Sequence, residues 1–187
     1  LIVGTGPAGC AAAIAARRLG LDVIAIDRAT FPRDKCCGDG LTTLALRELE
    51  RLGLRPSASS WTTINDAYIR SPSGREIHLQ LPENRGEYAA VVKRIELDAE
   101  LVDLARAEGT EIRQGCAFTS IELTSQRVKV SLDNGRSIRA SNVIAADGMW
   151  SPVRKALNCG PAGYRGDWHG FRQYMRADGP ESRNLWV

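Results

Sequence analysis

Against a prior of about 150 residues per domain, a chain of 187 residues is one domain with some excess, or one and a half. Apolar residues make up 43% and charged residues 25%, the balance of a chain that buries a core and not of a disordered one. A net charge of +3 is too weak for a general nucleic-acid binder, and no apolar run approaches the roughly 20 residues of a membrane span.

Leu1 to Val3 runs into Gly4-Thr5-Gly6-Pro7-Ala8-Gly9, then an alanine-rich stretch to Leu19 that Gly20 stops, then an apolar run Val23 to Ile26. This reads as strand, glycine turn, helix, strand: a βαβ unit of a parallel sheet. A loop with Pro32, Cys36, Cys37 and Gly38 follows, and then a predicted helix from Leu41 to Leu52 with apolar positions Leu44, Leu46, Leu49 and Leu52. Ile64 to Ile69 and Glu76 to Leu81, joined by Ser71-Pro72-Ser73-Gly74, predict an antiparallel hairpin. Val91 and Val92 close a short strand before a helix Ile95 to Ala107, whose expected buried stripe is Leu97, Leu101, Leu104 and Ala107. Three short strands follow, Cys116 to Leu123, Val128 to Leu132 and Ser137 to Ala140, the last two joined by Asp133-Asn134-Gly135. Asn142 to Ala146 is a buried-strand candidate delivering Asp147 and Gly148, and Ser151 to Leu157 a turn or two of helix. A second β-rich segment starts near Asp167. The chain opens inside an apolar strand without an initiator Met, so it is expected to be a piece of a longer protein, clipped at both ends.

Five cysteines (Cys10, Cys36, Cys37, Cys116, Cys159) form no CxxC, and His78 and His169 have no companion at metal-ligand spacing. No metal is expected. A reduced, cytoplasmic compartment is the better reading.

The glycine spacing carries chemistry. Gly4 allows the tight turn leaving the strand, Gly6 lets a diphosphate approach the backbone, and Gly9 lets the helix pack closely on the sheet. The helix N-terminus then offers free amides and a positive dipole end to the phosphates. Asp27 ends the second strand, close to the roughly 20 residues from the first glycine expected of a ribose-binding acid. Its carboxylate can accept from both adenosine ribose hydroxyls and would repel a 2′-phosphate, which disfavours NADP as resident ligand; Arg28 beside it leaves NADP open.

A plain NAD dehydrogenase would continue βαβ after the acid, whereas this chain turns to a cysteine loop, a hairpin and a meander. Ala146-Asp147-Gly148-Met149-Trp150-Ser151-Pro152-Val153-Arg154 resembles the "ADGxxSxVR" stretch of FAD-dependent oxidoreductases of the p-hydroxybenzoate hydroxylase fold. Pro32-Arg33-Asp34-Lys35-Cys36-Cys37-Gly38-Asp39-Gly40-Leu41 resembles the "PxxKxCGxGL" loop of the geranylgeranyl reductase family within it. The resemblance covers essentially the whole chain in order.

It implies an α/β fold: a Rossmann-like FAD-binding domain with a parallel sheet and an antiparallel β-meander, plus part of an antiparallel β substrate domain. The FAD-binding domain would take residues 1–59 and 88–160, and the substrate domain the hairpin 60–87 and the truncated segment 161–187. The resemblance further implies that Gly4, Gly6, Pro7, Ala8 and Gly9 hold the FAD diphosphate and that Asp27, with Arg28 next to it, holds the adenosine ribose. Arg94 would lie near the phosphates and ribityl chain, and Ala117 along the adenine. Asp147 and Gly148 would close over the diphosphate. Ser151 and Arg154 divide evenly between capping or surface roles and function. The loop passes near the isoalloxazine, so Cys37 and Gly38 would touch flavin, and Cys37 and Lys35 form the catalytic candidates, the lysine favouring a thiolate two residues away. Cys36 has no role, and Cys10, Cys116 and Cys159 are packing residues. Gly166-Asp167 comes too early to be the family's C-terminal Gly-Asp segment.

The activity so implied is reduction of C=C bonds of a geranylgeranyl or other polyprenyl chain, with hydride from reduced flavin N5 to one carbon and a proton from an acid or ordered water to the other. The electron donor would be NAD(P)H or a ferredoxin, and the lipid-like substrate implies peripheral contact at the cytoplasmic membrane face. The runner-up is a monooxygenase or halogenase of the same fold, although a halogenase's Trp-x-Trp-x-Ile-Pro stretch is not found here. A third reading is a non-catalytic nucleotide-binding module. On the first reading, Asp27→Ala weakens FAD binding and leaves the fold intact.

Overall fold

The structure, a computed structural model, describes residues 1–55, 61–82, 86, 88–160, 170–176, 178–179 and 182–187. In chain order the elements are β1 (Ile2–Val3), α1 (Pro7–Arg18), β2 (Ile24–Ile26), β3 (Gly40–Thr42), α2 (Thr43–Leu52), β4 (Trp61–Thr63), β5 (Asp66–Arg70), β6 (Glu76–Gln80) and β7 (Ala89–Val92). They continue as α3 (Arg94–Ala107), β8 (Glu111–Arg113), β9 (Phe118–Leu123), β10 (Val128–Leu132), β11 (Ser137–Ala140), β12 (Ile144–Ala145), α4 (Pro152–Ala156) and β13 (Asn184–Trp186). Gly166, Asp167 and His169 lie outside the described residues.

By packing, the chain forms two compact units: residues 1–34 with 97–169, and residues 35–96 with 170–187. Residues 35–55 and 88–96 thus pack in the same unit as the hairpin.

In the first unit, β1 pairs in parallel with β2 on one side and β12 on the other, and β2 pairs with β8, giving the order β12-β1-β2-β8. The βαβ expectation is met. The chain crosses over α1 and comes back to the sheet beside the strand it left, as parallel neighbours require. A meander β11-β10-β9 follows, antiparallel, with a register shift at Ser131/Leu132. Val3, Ile26, Val130, Leu132, Ile138 and Val153 form the buried core that joins sheet, meander and α4.

Two expectations need correction here. Ile144 in β12 is 45% exposed, not buried, because among the described residues this strand pairs only with β1. The buried face of α3 is Leu97, Asp98, Leu101, Val102 and Ala105, while Ala107 is exposed. A charge can lie in that face because the Arg33 guanidinium reaches the fully buried Asp98 carboxylate at 2.9 Å.

In the second unit, β3 and β4 flank β7 in an antiparallel sheet. The helix expected from Leu41 begins at Thr43 because Gly40–Thr42 pair with Ala89–Val91 instead. Thr42 then caps α2, its hydroxyl accepting from the Ala45 amide at 3.4 Å, and Gly53 ends the helix at φ +96°. Leu46 and Leu49 are buried, but Leu44 is exposed. The expected hairpin is β5–β6, and β13 adds to it in parallel with β5. Tyr68 stacks on both His78 and Trp186, with ring centroids 4.4 and 4.5 Å apart.

Candidate functional site

The glycine turn sits at the carboxyl end of β1, where the neighbours on the two sides are reached by different connections. Open α/β sheets bind ligands at such switch points. Gly4 takes φ +95°, and its amide donates to the Ile26 carbonyl at 2.8 Å. A Cβ at Gly4 would fall 2.3 Å from the Ala146 carbonyl oxygen, and one at Gly9 would fall 1.8 Å from the Gly4 carbonyl oxygen. Strand end, helix start and the segment leading to Asp147 are therefore packed backbone to backbone. Gly6 caps α1 with no side-chain hydrogen bond, and the first turn carries no acid. Its uncapped amides and dipole favour an anion there.

Asp27 stands in this crook. Its Oδ2 accepts from the Thr5 amide at 2.8 Å and the Thr5 hydroxyl at 3.1 Å, and its Oδ1 accepts from the Ala29 amide at 2.9 Å. A carboxylate has about four acceptor sites, so one on Oδ1 remains. Among the described residues, that leaves Oδ1 open to a ribose hydroxyl. Arg28 is exposed.

Asp147 arrives at the same turn, its Cα 2.9 Å from the position of a Gly4 Cβ. Its Oδ2 accepts from the Val153 amide at 3.0 Å, so the carboxylate also steadies the start of α4. Gly148 turns at φ +84°. Ser151 is the cap of α4, accepting from the Arg154 amide at 3.0 Å, which favours its structural reading. Ala117 follows Cys116, whose amide donates to the Asp27 carbonyl at 2.9 Å. The Ala117 amide is taken by the Asp133 carboxylate at 3.0 Å, so only its carbonyl can serve an adenine, and that already accepts from the Asp133 amide. A cavity of about 470 Å³ at the opposite end of β1, lined by Leu1, Ile24, Arg127 and Ile144 among others, touches none of the expected site residues.

The cysteine loop belongs to the second unit. Lys35, Cys36, Cys37 and Gly38 are exposed, and Gly38 has open space around it. Although the residue is exposed overall, partial desolvation pushes the Cys37 thiol up, but hydrogen bonds from the Asp39 and Gly38 amides and from the Arg94 side chain, with the Arg94 charge, outweigh it and hold its pKa below the ordinary thiol value. The cation that acts on Cys37 is therefore Arg94, not the Lys35 expected from spacing. Arg94 is the residue the sequence reading had set near the phosphates.

Cys10 is the opposite case. Burial, then the Asp98 and Asp27 charges, push its thiol up to about 12, and the sulfur donates to the Thr5 carbonyl at 3.2 Å. Since the thiolate is the nucleophile, iodoacetamide at neutral pH should label Cys37 ahead of Cys36 and Cys159, and Cys10 only after unfolding. Peptide mapping over time checks that order, and early labelling of Cys10 would contradict it.

Sequence reasoning missed Thr5, Asp39, Arg172 and Tyr174. The Tyr174 hydroxyl donates to Asp39 Oδ2 at 2.5 Å, and Arg172 Nη1 donates to the Lys35 carbonyl at 3.0 Å. No spacing signal connects partners that lie 135 positions apart.

Comparison with known proteins accords with this geometry. The family model described as an FAD binding domain matches residues 1–179. The chain is 39% identical over 163 residues to a menaquinone reductase of Mycobacterium tuberculosis, covering 84% of this chain and 39% of that protein. It is 31% identical over 170 residues to digeranylgeranylglycerophospholipid reductase 2 of Methanopyrus kandleri, covering 87% of this chain and 40% of that protein. A solved structure of a geranylgeranyl bacteriochlorophyll reductase-like protein from Thermoplasma acidophilum matches at TM-score 0.74 and 26% identity, over 88% of this chain and 41% of that one. The chain thus spans about two fifths of the length of these relatives. A glycine crook with no room for a Cβ, an uncapped helix start and a strand-end carboxylate fit the adenosine diphosphate half of FAD, and the chain belongs to the FAD-binding-domain family, with FAD as its cofactor.

Proposed function

We propose that the full protein is an FAD-dependent reductase that saturates C=C bonds in the isoprenoid chain of a lipid. One observation carries this reading: menaquinone and a digeranylgeranyl glycerophospholipid, named for two relatives, have unlike head groups and share an isoprenoid chain. When bound and reduced, FAD supplies the hydride.

The chain's own residues hold and align. The turn from Gly4 to Gly9, with Pro7 and Ala8 in the first turn of α1, receives the diphosphate, and Asp27 fixes the adenosine ribose through Oδ1. Cys37, kept toward thiolate by Arg94, presents a polarised sulfur to flavin or substrate, and Lys35 adds an exposed positive charge two residues away. An unactivated alkene offers little charge to polarise, so alignment has to supply much of the rate. The electron donor in this reading is NAD(P)H or a ferredoxin. A lipid substrate calls for peripheral contact at the cytoplasmic face of a membrane; among the described residues no helix is long and apolar enough to cross one.

A second reading, reduction of a quinone ring, is favoured by the name of the 39% identical relative. Anaerobic turnover of full-length protein with menaquinone and with a digeranylgeranyl lipid separates the two. Hydrogens added to the chain survive exposure to air and appear in tail fragments by mass spectrometry, whereas a quinol reverts to the quinone. Cys37→Ala is expected to lower chain reduction about tenfold or more with FAD content unchanged. Product formed only with oxygen would point to the monooxygenase alternative.

A further inference from the structure

One arginine ties both ends of the loop that carries Cys37. Arg172 Nη1 donates to the Lys35 carbonyl at 3.0 Å and lies 3.5 Å from Asp39 Oδ1. Asp39 Oδ2 accepts from the Tyr174 hydroxyl at 2.5 Å. The Arg172 guanidinium also lies over the Tyr174 ring at 4.5 Å, and the Lys93 ammonium is 5.9 Å from the same ring. Asp39 is 5% exposed and holds φ +57°, a left-handed conformation uncommon outside glycine but tolerated by Asp, and here fixed by contacts.

What fixes it is on either side of the residue. The Asp39 carbonyl accepts from the Val92 amide at 3.0 Å, which anchors the backbone to β7. The carboxylate is held by Tyr174 and Arg172, in bonds strengthened by its charge. Between the tie points at 35 and 39, the side chains are exposed and Gly38 has open space around it. Among the described residues, the stretch itself is held at the Cys37 sulfur, by the Gly38 and Asp39 amides and by Arg94. The rest of the order that offsets its entropy comes from its two ends.

We propose that Arg172 and Tyr174 are positioning residues for Cys37: by clamping Lys35 and Asp39 they hold the loop in the turn that aims the Asp39 amide at the Cys37 sulfur. This does not depend on whether a chain double bond or a quinone ring is reduced. Among the described residues, the charged and titratable groups that bear on the loop are Arg94 at the sulfur, Asp39, Arg172, Tyr174 and Lys93 in the clamp, and Asp34, Lys35 and Cys36 of the loop itself.

The test is the pH dependence of Cys37 alkylation by iodoacetamide, read by peptide mass spectrometry in the full chain carrying Cys36→Ser, and it needs neither lipid nor electron donor. Tyr174→Phe and Arg172→Gln should each slow Cys37 labelling at neutral pH by about three- to tenfold and move the midpoint of its profile upward by about half a pH unit to one. Cys159, exposed in the other unit, should label as in the parent. Arg172→Lys, which keeps the charge without the planar fork, should recover part of the effect. An unmoved Cys37 midpoint in both Tyr174→Phe and Arg172→Gln would overturn the proposal. So would an equal change at Cys159, because it would report general loosening. Tyr174→Phe removes one hydroxyl from a half-exposed ring, and an unchanged far-ultraviolet circular dichroism spectrum confirms that the comparison is between folded proteins.

Discussion

Gly9→Ala should yield a protein that retains no FAD and unfolds at markedly lower denaturant than the parent. The new Cβ would sit 1.8 Å from the Gly4 carbonyl oxygen, 2.9 Å from the Gly4 carbonyl carbon and 3.4 Å from the Ala146 Cβ. The nearest obstacle is backbone, and it cannot swing away. Gly4 is fixed by its hydrogen bond to the Ile26 carbonyl and its left-handed φ, and a Cβ of its own would fall 2.3 Å from the Ala146 carbonyl oxygen. Relief requires α1 to back off the sheet, which uncovers the fully buried Cys10 and Ile14 and displaces the amides that receive the diphosphate. Overpacking costs about 1–3 kcal/mol and occasionally more, and a clash with backbone belongs at the upper end, a large part of a domain's stability. Gly38→Ala is the control, with open space around the residue; it should change stability by less than about 0.5 kcal/mol. Denaturant midpoints and flavin absorbance after gel filtration read both effects. A Gly9→Ala protein that keeps its FAD and its midpoint would disprove the close-packed crook.

Asp27→Ala should damage both folding and cofactor binding, and this revises the expectation that the fold would be spared. The carboxylate is 8% exposed and serves three donors: the Thr5 amide, the Thr5 hydroxyl and the Ala29 amide. Removing it leaves those groups short of an acceptor in a buried place, at about 1–3 kcal/mol for each that water cannot reach. FAD affinity should fall at least about tenfold, equivalent to ~1.4 kcal/mol, through loss of the Oδ1 acceptor and of the turn geometry. Thr5→Val separates the two effects, since it deletes one donor to Oδ2 and leaves Oδ1 in place. It should lower the unfolding midpoint while changing FAD affinity less than about threefold. Equal loss of affinity in Thr5→Val and Asp27→Ala would show that Asp27 acts on the cofactor only through the turn.

The nucleotide crook was legible because its physics is local. A positive φ, a close helix approach and a strand-end acid each demand a residue type at a set spacing, and Gly4, Gly9 and Asp27 supply them in order. The meander was legible too: β10 and β11 coincide with the expected Val128 to Leu132 and Ser137 to Ala140, where alternation and an Asp-Asn-Gly turn act together. Strands β3, β4 and β8 were not foreseen. Each has three residues, too few to show a period, and each exists only because a distant strand offers it a ladder: β7 for β3 and β4, β2 for β8. The burial of Asp98 was not foreseen, since nothing local announces that Arg33 will reach it. The environment of Cys37 was half legible. A cation was expected, but the spacing pointed to Lys35, while tertiary structure supplies Arg94 at the head of α3.

The parallel pairing of β13 with β5 has a consequence for synthesis on the ribosome. The β5–β6 hairpin emerges early, yet its third strand, residues 184–186, lies beyond the whole meander. Until those residues leave the exit tunnel, the far edge of β5 stands bare, with unpaired amides and carbonyls ready to template a strand from a neighbouring nascent chain. Slow elongation past the meander is therefore expected to favour mispairing at that edge, and chaperones that shield open sheet edges should act on this chain chiefly in that interval.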